Sequence, residues 1–183
     1  MPALPTLAVV KKDPLLRFLF VGLVLFVAWL LLYYLVVHPA VWVDRAVIGN
    51  LISVSGLLLK VLGFELLPEP DPEHYRTIGV QGGHPLWIGD PCNGVMVMAV
   101  FAVFIVAYPG SWKQRSWFLL AGLLSIHLIN AVRVATLSII VTYNYEWLTF
   151  NHDYVFYLVV YGWVFLLWWL WVKRFNGRAS PAA

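Results

Sequence analysis

Cysteine is nearly absent from this chain: Cys92 is the only one among 183 residues. A disulfide within the chain needs two thiols and is therefore excluded, so Cys92 is an inert small apolar residue, a partner for another chain or a nucleophile. The sequence also has no C-x-x-C, no H-E-x-x-H and no G-x-x-x-x-G-K-[ST]. These absences argue against thiol-disulfide exchange, a zincin site and a P-loop, and we expect neither a metal nor a cofactor.

Charge is scarce as well. Only 11% of the residues are charged and 62% are hydrophobic. In a soluble domain, about half of the residues are usually apolar. This composition predicts an integral membrane protein in contact with lipid. The net charge of +3 does not point to nucleic acid, because the basic residues cluster beside apolar runs instead of forming a stripe. Such clusters are typical of residues that set membrane topology.

The hydrophobic runs predict an all-α membrane protein that forms a single domain over residues 1–183. We expect four transmembrane helices, at 15–37, 92–108, 117–143 and 154–172. The first run has 23 residues, apolar except for Arg17, and exceeds the roughly 7–15 apolar residues of a signal peptide. It is therefore predicted to be a retained anchor. The second is marginal, since 17 helical residues rise only about 25 Å.

Residues 38–91 are predicted to form an extracytoplasmic segment. Within it, 46–63 is expected to be an amphipathic helix that lies on or dips into the outer interface. The uncharged stretch between Arg45 and Lys60 would rise only about 21 Å, against a hydrocarbon core of about 30 Å. The acidic, proline-rich stretch 65–73 predicts a loop, and 75–88 predicts a small hairpin.

The basic residues orient these helices. Placing both termini in the cytoplasm makes 1–14 a cytoplasmic lead-in, 109–116 a cytoplasmic loop and 173–183 a cytoplasmic tail. Those segments together hold Lys11, Lys12, Lys113, Arg115, Lys173, Arg174 and Arg178. The outer loop 144–153 has no lysine or arginine, as the positive-inside rule requires. A fifth span at 46–63 would reverse part of this arrangement.

Arg133 is the most informative polar residue inside a predicted span. It follows Trp117 by 16 residues, a helical rise of about 24 Å, which places it in the outer part of the bilayer near Cys92. A membrane arginine costs several kcal/mol unless it is paired or faces a wet cavity. It is a functional candidate for that reason. The alternatives are that it snorkels outward or pairs structurally with Asp90, Glu146 or Asp153.

Three polar groups are therefore expected at one depth. The helix start near Cys92 and a nearby guanidinium both favour the thiolate. His152 could carry the thiol proton, and Arg133 could stabilise an oxyanion. Asn130, one turn before Arg133, could hold the guanidinium or join two helices. Asp153 is a candidate for orienting His152, and His127 is expected to be structural or a secondary proton acceptor.

These residues resemble a known family, the exosortase/archaeosortase group of membrane-embedded cysteine transpeptidases. The resemblance covers roughly residues 85–173. It rests on Pro91-Cys92-Asn93-Gly94-Val95 at the start of one helix, Asn130-Ala131-Val132-Arg133 inside the next, and His152-Asp153-Tyr154 at the start of the last. The family's catalytic cysteine, arginine and histidine would fall on Cys92, Arg133 and His152. Supporting positions would be Asn130, Asn93, Gly94 and Asp153.

The resemblance implies a protein-sorting enzyme of the cytoplasmic membrane. Such an enzyme recognises a C-terminal signal, made of a short motif, an apolar helix and a basic tail, and cleaves it on the outer side. A thioacyl intermediate then passes to an acceptor nucleophile. With about four spans, this chain would be a compact member.

Two readings without this chemistry remain open. One is a non-catalytic membrane subunit that assists export or assembly of cell-surface polymers. The other is a small transporter or channel that uses Arg133 and His127 as a relay. Other intramembrane proteases are disfavoured, since a rhomboid-like enzyme needs a serine in a Gly-x-Ser context and site-two proteases need the missing zinc motif.

Overall fold

The computed structural model describes residues 13–68 and 76–175. The elements are α1 (Pro14–Leu32), α2 (Trp42–Val61), β1 (Thr77–Ile78), β2 (Leu86–Trp87), α3 (Val95–Ala107), α4 (Trp112–Tyr143), α5 (Trp147–Phe150) and α6 (Phe156–Phe175). Residues 1–12 of the predicted lead-in, 69–75 of the acidic loop and hairpin, and 176–183 of the tail lie outside the described residues.

α1 begins where its sequence predicts. The Asp13 side chain accepts hydrogen bonds from the backbone N–H groups of Leu15 and Leu16 at 2.8 and 3.2 Å. Pro14 occupies the first helical position, where its missing N–H has no partner to lose. The helix continues through a π-helical turn, Tyr33–Val37. The apolar stretch of 24 residues from Pro14 to Val37 coincides with the predicted first span.

Four helices of the described chain are long and apolar enough to cross a membrane, namely Pro14–Val37, Trp42–Val61, Trp112–Tyr143 and Trp147–Arg174. The protein is a multi-pass, all-α membrane protein, as predicted. The set differs from the expected one, however. Trp42–Val61 qualifies, whereas Val95–Ala107, inside the predicted span 92–108, has only 13 residues and rises about 20 Å.

α2 is longer than its predicted range, 46–63, because it starts four residues earlier and includes Asp44 and Arg45. Asp44 is 1% exposed and hydrogen-bonded within the protein, so its charge does not end the helix. Asn50 contacts His127 of α4 at 2.7 Å, and Ser55 donates to the Ala131 carbonyl at 3.0 Å. The later residue of α2 contacts the later residue of α4, so the two helices run in the same direction.

The predicted hairpin is present beside α2 and α4. Thr77 pairs with Trp87 and Ile78 with Leu86 in an antiparallel register, and an isolated bridge joins Leu66 to Val80. Hairpin residues share one hydrophobic core with both helices. This first core contains Ile48, Leu51, Leu59, Ile78, Val80, Ile88, Ala131, Val134 and Ala135. α2 and the hairpin are therefore packed firmly onto α4.

A second core joins α3, α4 and α6. It consists of Phe101, Ile105, Ile126, Val164, Leu167 and Trp171. Gly122 of α4 lies directly against the Phe101 ring, where a Cβ atom would overlap it. α3 also packs against α1, so this short helix is enclosed by three longer ones.

The predicted outer loop 144–153 is shorter in the structure. Helix resumes at Trp147 and continues through a π-helical turn, Asn151–Val155, into α6. The sequence placed the helix start at 154 because polar residues precede it. The polar residues Asn151, His152 and Asp153 instead lie in the π-helical turn. The Asn151 side chain donates to the Trp147 carbonyl at 2.8 Å.

Candidate functional site

Cys92 lies in a short 3-10 turn, Asp90–Cys92, at the end of the hairpin segment. The turn is closed by hydrogen bonds from the Cys92 N–H to the Gly89 carbonyl at 2.9 Å and from the Asn93 N–H to the Asp90 carbonyl at 3.1 Å. α3 begins only at Val95, after Gly94 in a left-handed conformation with φ of 80°. The thiol therefore lies before the helix. The prediction that the helix starts at Cys92 is wrong by three residues.

The three predicted catalytic side chains meet at this turn. Cys92 Sγ lies 3.4 Å from His152 Nε2, and a terminal guanidinium nitrogen of Arg133 lies 4.0 Å from the same sulfur. The thiol comes from the turn after the hairpin, the arginine from the middle of α4 and the imidazole from the π-helical turn before α6. Residues 41 and 60 positions away along the chain thus converge on one half-buried sulfur atom.

Arg133 does not take part in a structural ion pair among the described residues. None of the ion pairs found there includes it, and Asp90, one of the expected partners, is paired with Arg76. Its other hydrogen bond goes to the Asn130 side-chain oxygen at 3.5 Å, and its Nε atom is buried with no partner in the described part of the chain. Within the described part of the chain, no carboxylate therefore lies at ion-pair distance from the guanidinium next to Cys92.

Asp153 orients His152 despite being its immediate neighbour. The His152 Nδ1 atom lies 2.7 Å from an Asp153 carboxylate oxygen. A proton shared at Nδ1 leaves Nε2, the nitrogen that faces Cys92, free to accept a proton. Both residues lie in the π-helical turn Asn151–Val155. The thiol contacts the imidazole, and the imidazole contacts the carboxylate.

Asn130 fixes the backbone of the turn. Its side-chain amide donates to the Cys92 carbonyl at 2.9 Å and, through its oxygen, accepts from Arg133. It is 2% exposed, and a Cβ atom on Gly94 would lie 3.0 Å from its nitrogen. Asn130 therefore holds the arginine, as expected, and also positions the cysteine, which the sequence did not predict.

A buried network supports Cys92 from the other side. Asn93, 2% exposed, donates to Asp44 at 2.8 Å and accepts from the Val95 N–H at 2.8 Å. Asp44 also accepts from the Tyr33 hydroxyl at 3.1 Å and contacts His38 Nδ1 at 3.0 Å. Sequence reasoning missed Tyr33, His38 and Asp44. An acidic residue inside an apolar helical stretch was the available signal.

The same network contains the one group of possible metal ligands found among the described residues. Ligand atoms of His38, Asp44 and Asp90 lie within 4.8 Å of one another. Both carboxylates already have partners. Asp44 accepts hydrogen bonds from Tyr33 and Asn93, and Asp90 forms an ion pair with Arg76. Arg76 balances the charge of Asp90, and neutral donors hydrogen-bond to Asp44, so the contacts of this group form a hydrogen-bond and ion-pair network.

A cavity of about 490 Å³ opens beside the turn. Its polar side includes His38, Asp90, Asn93, Asn130 and Arg133, and its apolar side includes Met96, Val97, Ile126, Phe156 and Val160. Tyr33, Tyr34, Tyr157 and Tyr161 complete the walls. The volume is within the roughly 300–1,000 Å³ of typical ligand pockets.

His127 lies away from this group of residues. Its Nε2 atom contacts Asn50 at 2.7 Å and links α4 to α2. This contact accounts for His127 as a structural residue, the first of its two expected roles.

In comparisons with known proteins, no protein-family model matches the chain, and neither a curated protein nor a solved structure does. The resemblance to exosortases therefore rests on the three short motifs.

Proposed function

We propose that the protein is a membrane cysteine transpeptidase or peptidase that uses Cys92 as its nucleophile. The observation that carries the proposal is the arrangement around the sulfur. An imidazole held by a carboxylate lies 3.4 Å away, and a guanidinium without a carboxylate partner among the described residues lies 4.0 Å away. A base and a fixed positive charge are the two groups that nucleophilic acyl transfer requires.

The first half of the reaction forms a thioester. His152 Nε2 accepts the thiol proton, and the sulfur attacks the carbonyl carbon of the scissile peptide bond. Arg133 stabilises the negative oxygen of the tetrahedral intermediate. When the carbon–nitrogen bond breaks, His152 returns its proton to the departing amine. The client's upstream part is now joined to Cys92 as a thioacyl group.

The second half releases the product. An acceptor nucleophile loses its proton to His152 and attacks the thioester carbon, and the thiolate leaves and regains the proton. An amine acceptor gives transpeptidation, whereas water gives hydrolysis. The buried contacts of Asn130 and Asn93 hold the turn in place through both steps.

The family resemblance extends the proposal to protein sorting. The client would carry a C-terminal signal with a short motif, an apolar helix and a basic tail. The active site would face the outer side of the cytoplasmic membrane, with both termini inside. The parallel course of α2 and α4 supports this placement, because α2 then leads outward from the level of Asn50 and His127 and does not return to the cytoplasm.

Processing of a co-expressed exported protein with such a signal tests the proposal. Cys92→Ala, His152→Ala and Arg133→Ala should each leave the precursor uncleaved at normal enzyme abundance. Val132→Ala is the matched control, since Val132 is 51% exposed on the same helix as Arg133. Normal cleavage by the Cys92→Ala variant would refute the mechanism.

The alternative is a non-catalytic subunit for export or assembly of cell-surface polymers. Under that reading, Asn130 and Arg133 only join helices. Cys92→Ala would then be silent, while Arg133→Leu would lower the amount of protein in the membrane. Abundance measured beside processing separates the two.

A further inference from the structure

The cavity beside Cys92 is bounded by the two ends of the described chain. The outer end of α1 forms one wall through Tyr33 and Tyr34, and the start of α6 forms the other through Tyr157 and Tyr161. α3 lies between these walls, since it packs on α1 and on α6, and α4 closes the back with Ile126, Asn130 and Arg133. The front of the cavity is thus the gap between α1 and α6.

Exposure shows that this gap is open. Tyr34, Tyr157 and Tyr161 are 57%, 47% and 49% exposed although they line the cavity. Both walls belong to helices that are long and apolar enough to cross a membrane. An opening between two such helices faces sideways, at the level where tyrosine is enriched in membrane proteins.

We propose that the client polypeptide enters this cavity sideways from the membrane, between α1 and α6, as a short unwound segment next to the outer end of its own apolar helix. The inference rests on the proposed function and adds the route and the form in which the substrate binds. The client's apolar helix stays in lipid against the outer faces of α1 and α6.

The size of the cavity limits what enters. An α-helix with side chains is about 10 Å wide, so 490 Å³ holds a length of only about 6 Å, or roughly one turn. A whole client helix does not fit, but a few extended residues do. The reacting carbonyl must also approach Sγ, and the cavity reaches the chain neighbours of Cys92, Pro91 and Asn93, together with Arg133.

The wall chemistry suits an unwound backbone. Peptide groups released from a helix need new hydrogen-bond partners at membrane depth. The tyrosine hydroxyls, His38, Asp90 and Arg133 offer donors and acceptors along the cavity. Met96, Val97 and Val160 provide an apolar floor for a client side chain. A lipid acyl chain, in contrast, forms no hydrogen bonds with these polar groups.

Cysteine cross-linking tests the route without needing catalysis. The Cys92→Ala chain has no cysteine, so single cysteines can be placed at will. The probe is a synthetic peptide with the C-terminal signal of an exported protein from the same genome and one cysteine just before its apolar helix. Tyr161→Cys and Tyr34→Cys should cross-link several-fold more than the outward-facing controls Leu158→Cys and Leu35→Cys, whose parent residues are 78% and 71% exposed.

Equal cross-linking at Tyr161 and Leu158 would overturn the route. That result would mean that the client does not enter the cavity, and it would not bear on the proposed role of Cys92. Failure of the proposed function is recognised separately, by normal processing in Cys92→Ala.

Blocking the cavity gives a second readout. Val160→Trp should abolish client processing while a small maleimide still labels Cys92, because the reagent needs far less room than a peptide. Val159→Trp is the control, since Val159 is 44% exposed on the adjacent position of α6. Unchanged processing by Val160→Trp would contradict client binding in the cavity.

Discussion

At the scale of residues, the proposed chemistry depends on which nitrogen of His152 faces the sulfur. Asp153 binds Nδ1 at 2.7 Å and so presents Nε2 to Cys92. The contact of this carboxylate is with the imidazole, so in the proposed mechanism it acts through that ring. Its loss should therefore matter less than the loss of His152 itself.

This ordering is a prediction. His152→Ala should lower the processing rate by about 10²- to 10⁴-fold, the usual contribution of a general acid–base. Asp153→Asn should give a smaller loss, because the amide can orient the ring by accepting from Nδ1 but carries no charge. Single-turnover processing measures both. A larger loss for Asp153→Asn than for His152→Ala would contradict the assignment.

Backbone geometry next to Cys92 favours glycine at position 94. Its φ of 80° is costly for a residue with a side chain, by about 1–2 kcal/mol. Gly94→Ala should lower the free energy of unfolding by about that amount and push Asn130 away from the Cys92 carbonyl. Thermal unfolding in detergent measures the change.

Gly162→Ala is the control for that experiment. Gly162 lies inside α6, and a Cβ atom there would meet nothing within 4 Å. Alanine should therefore leave stability unchanged or raise it by up to about 1 kcal/mol. Equal stability losses in the two variants would exclude the backbone explanation for Gly94.

The sequence was sufficient to find Cys92, Arg133 and His152, because a lone thiol, a membrane arginine and a histidine at a helix start each stand out against an apolar background. Because the three residues were expected at one depth in the membrane, the sequence also predicted that they lie close together. Asp44 was missed because it was treated as the charged border of an apolar stretch. Its partners Tyr33 and Asn93 lie 11 and 49 residues away, and no local pattern connects them.

At the scale of elements, the contact between α3 and α4 depends on Gly122. The Phe101 ring occupies the space that a side chain would need there. Gly122→Val should force α3 away from α4 and cause severe loss of folded protein. Ala121→Val is the control, because Ala121 is exposed on the same helix. Size-exclusion chromatography and unfolding temperature report the difference, and equal behaviour of both variants would refute tight α3–α4 packing.

Element bounds were predictable where hydrophobicity changes sharply. α1 and the end of α4 at Tyr143 match their expected positions, whereas the start of α2, the start of α4 at Trp112 instead of 117, and the outer loop before α6 do not. In each exception polar residues were taken to end a helix. The structure keeps them helical, with Asp44 hydrogen-bonded in the interior and the residues around His152 in a π-helical turn.

At the scale of the whole molecule, α2 and the hairpin are proposed to lie on the outer side. Single cysteines in the Cys92→Ala chain test this. Lys60→Cys and Gly82→Cys should react with a membrane-impermeant reagent added outside, while Lys113→Cys and Lys173→Cys should react only after the membrane is opened. Protection of Lys60→Cys and Gly82→Cys from the outside would show that α2 crosses to the cytoplasm.

The central claim is that Cys92 forms a covalent bond with its client. Mass spectrometry of the enzyme, digested after mixing with a signal-bearing client, tests it most directly. The account predicts that the peptide containing Cys92 gains the mass of the client's upstream fragment, that hydroxylamine removes it, and that Cys92→Ala shows no such adduct. Cleavage of the client by the Cys92→Ala variant would contradict it.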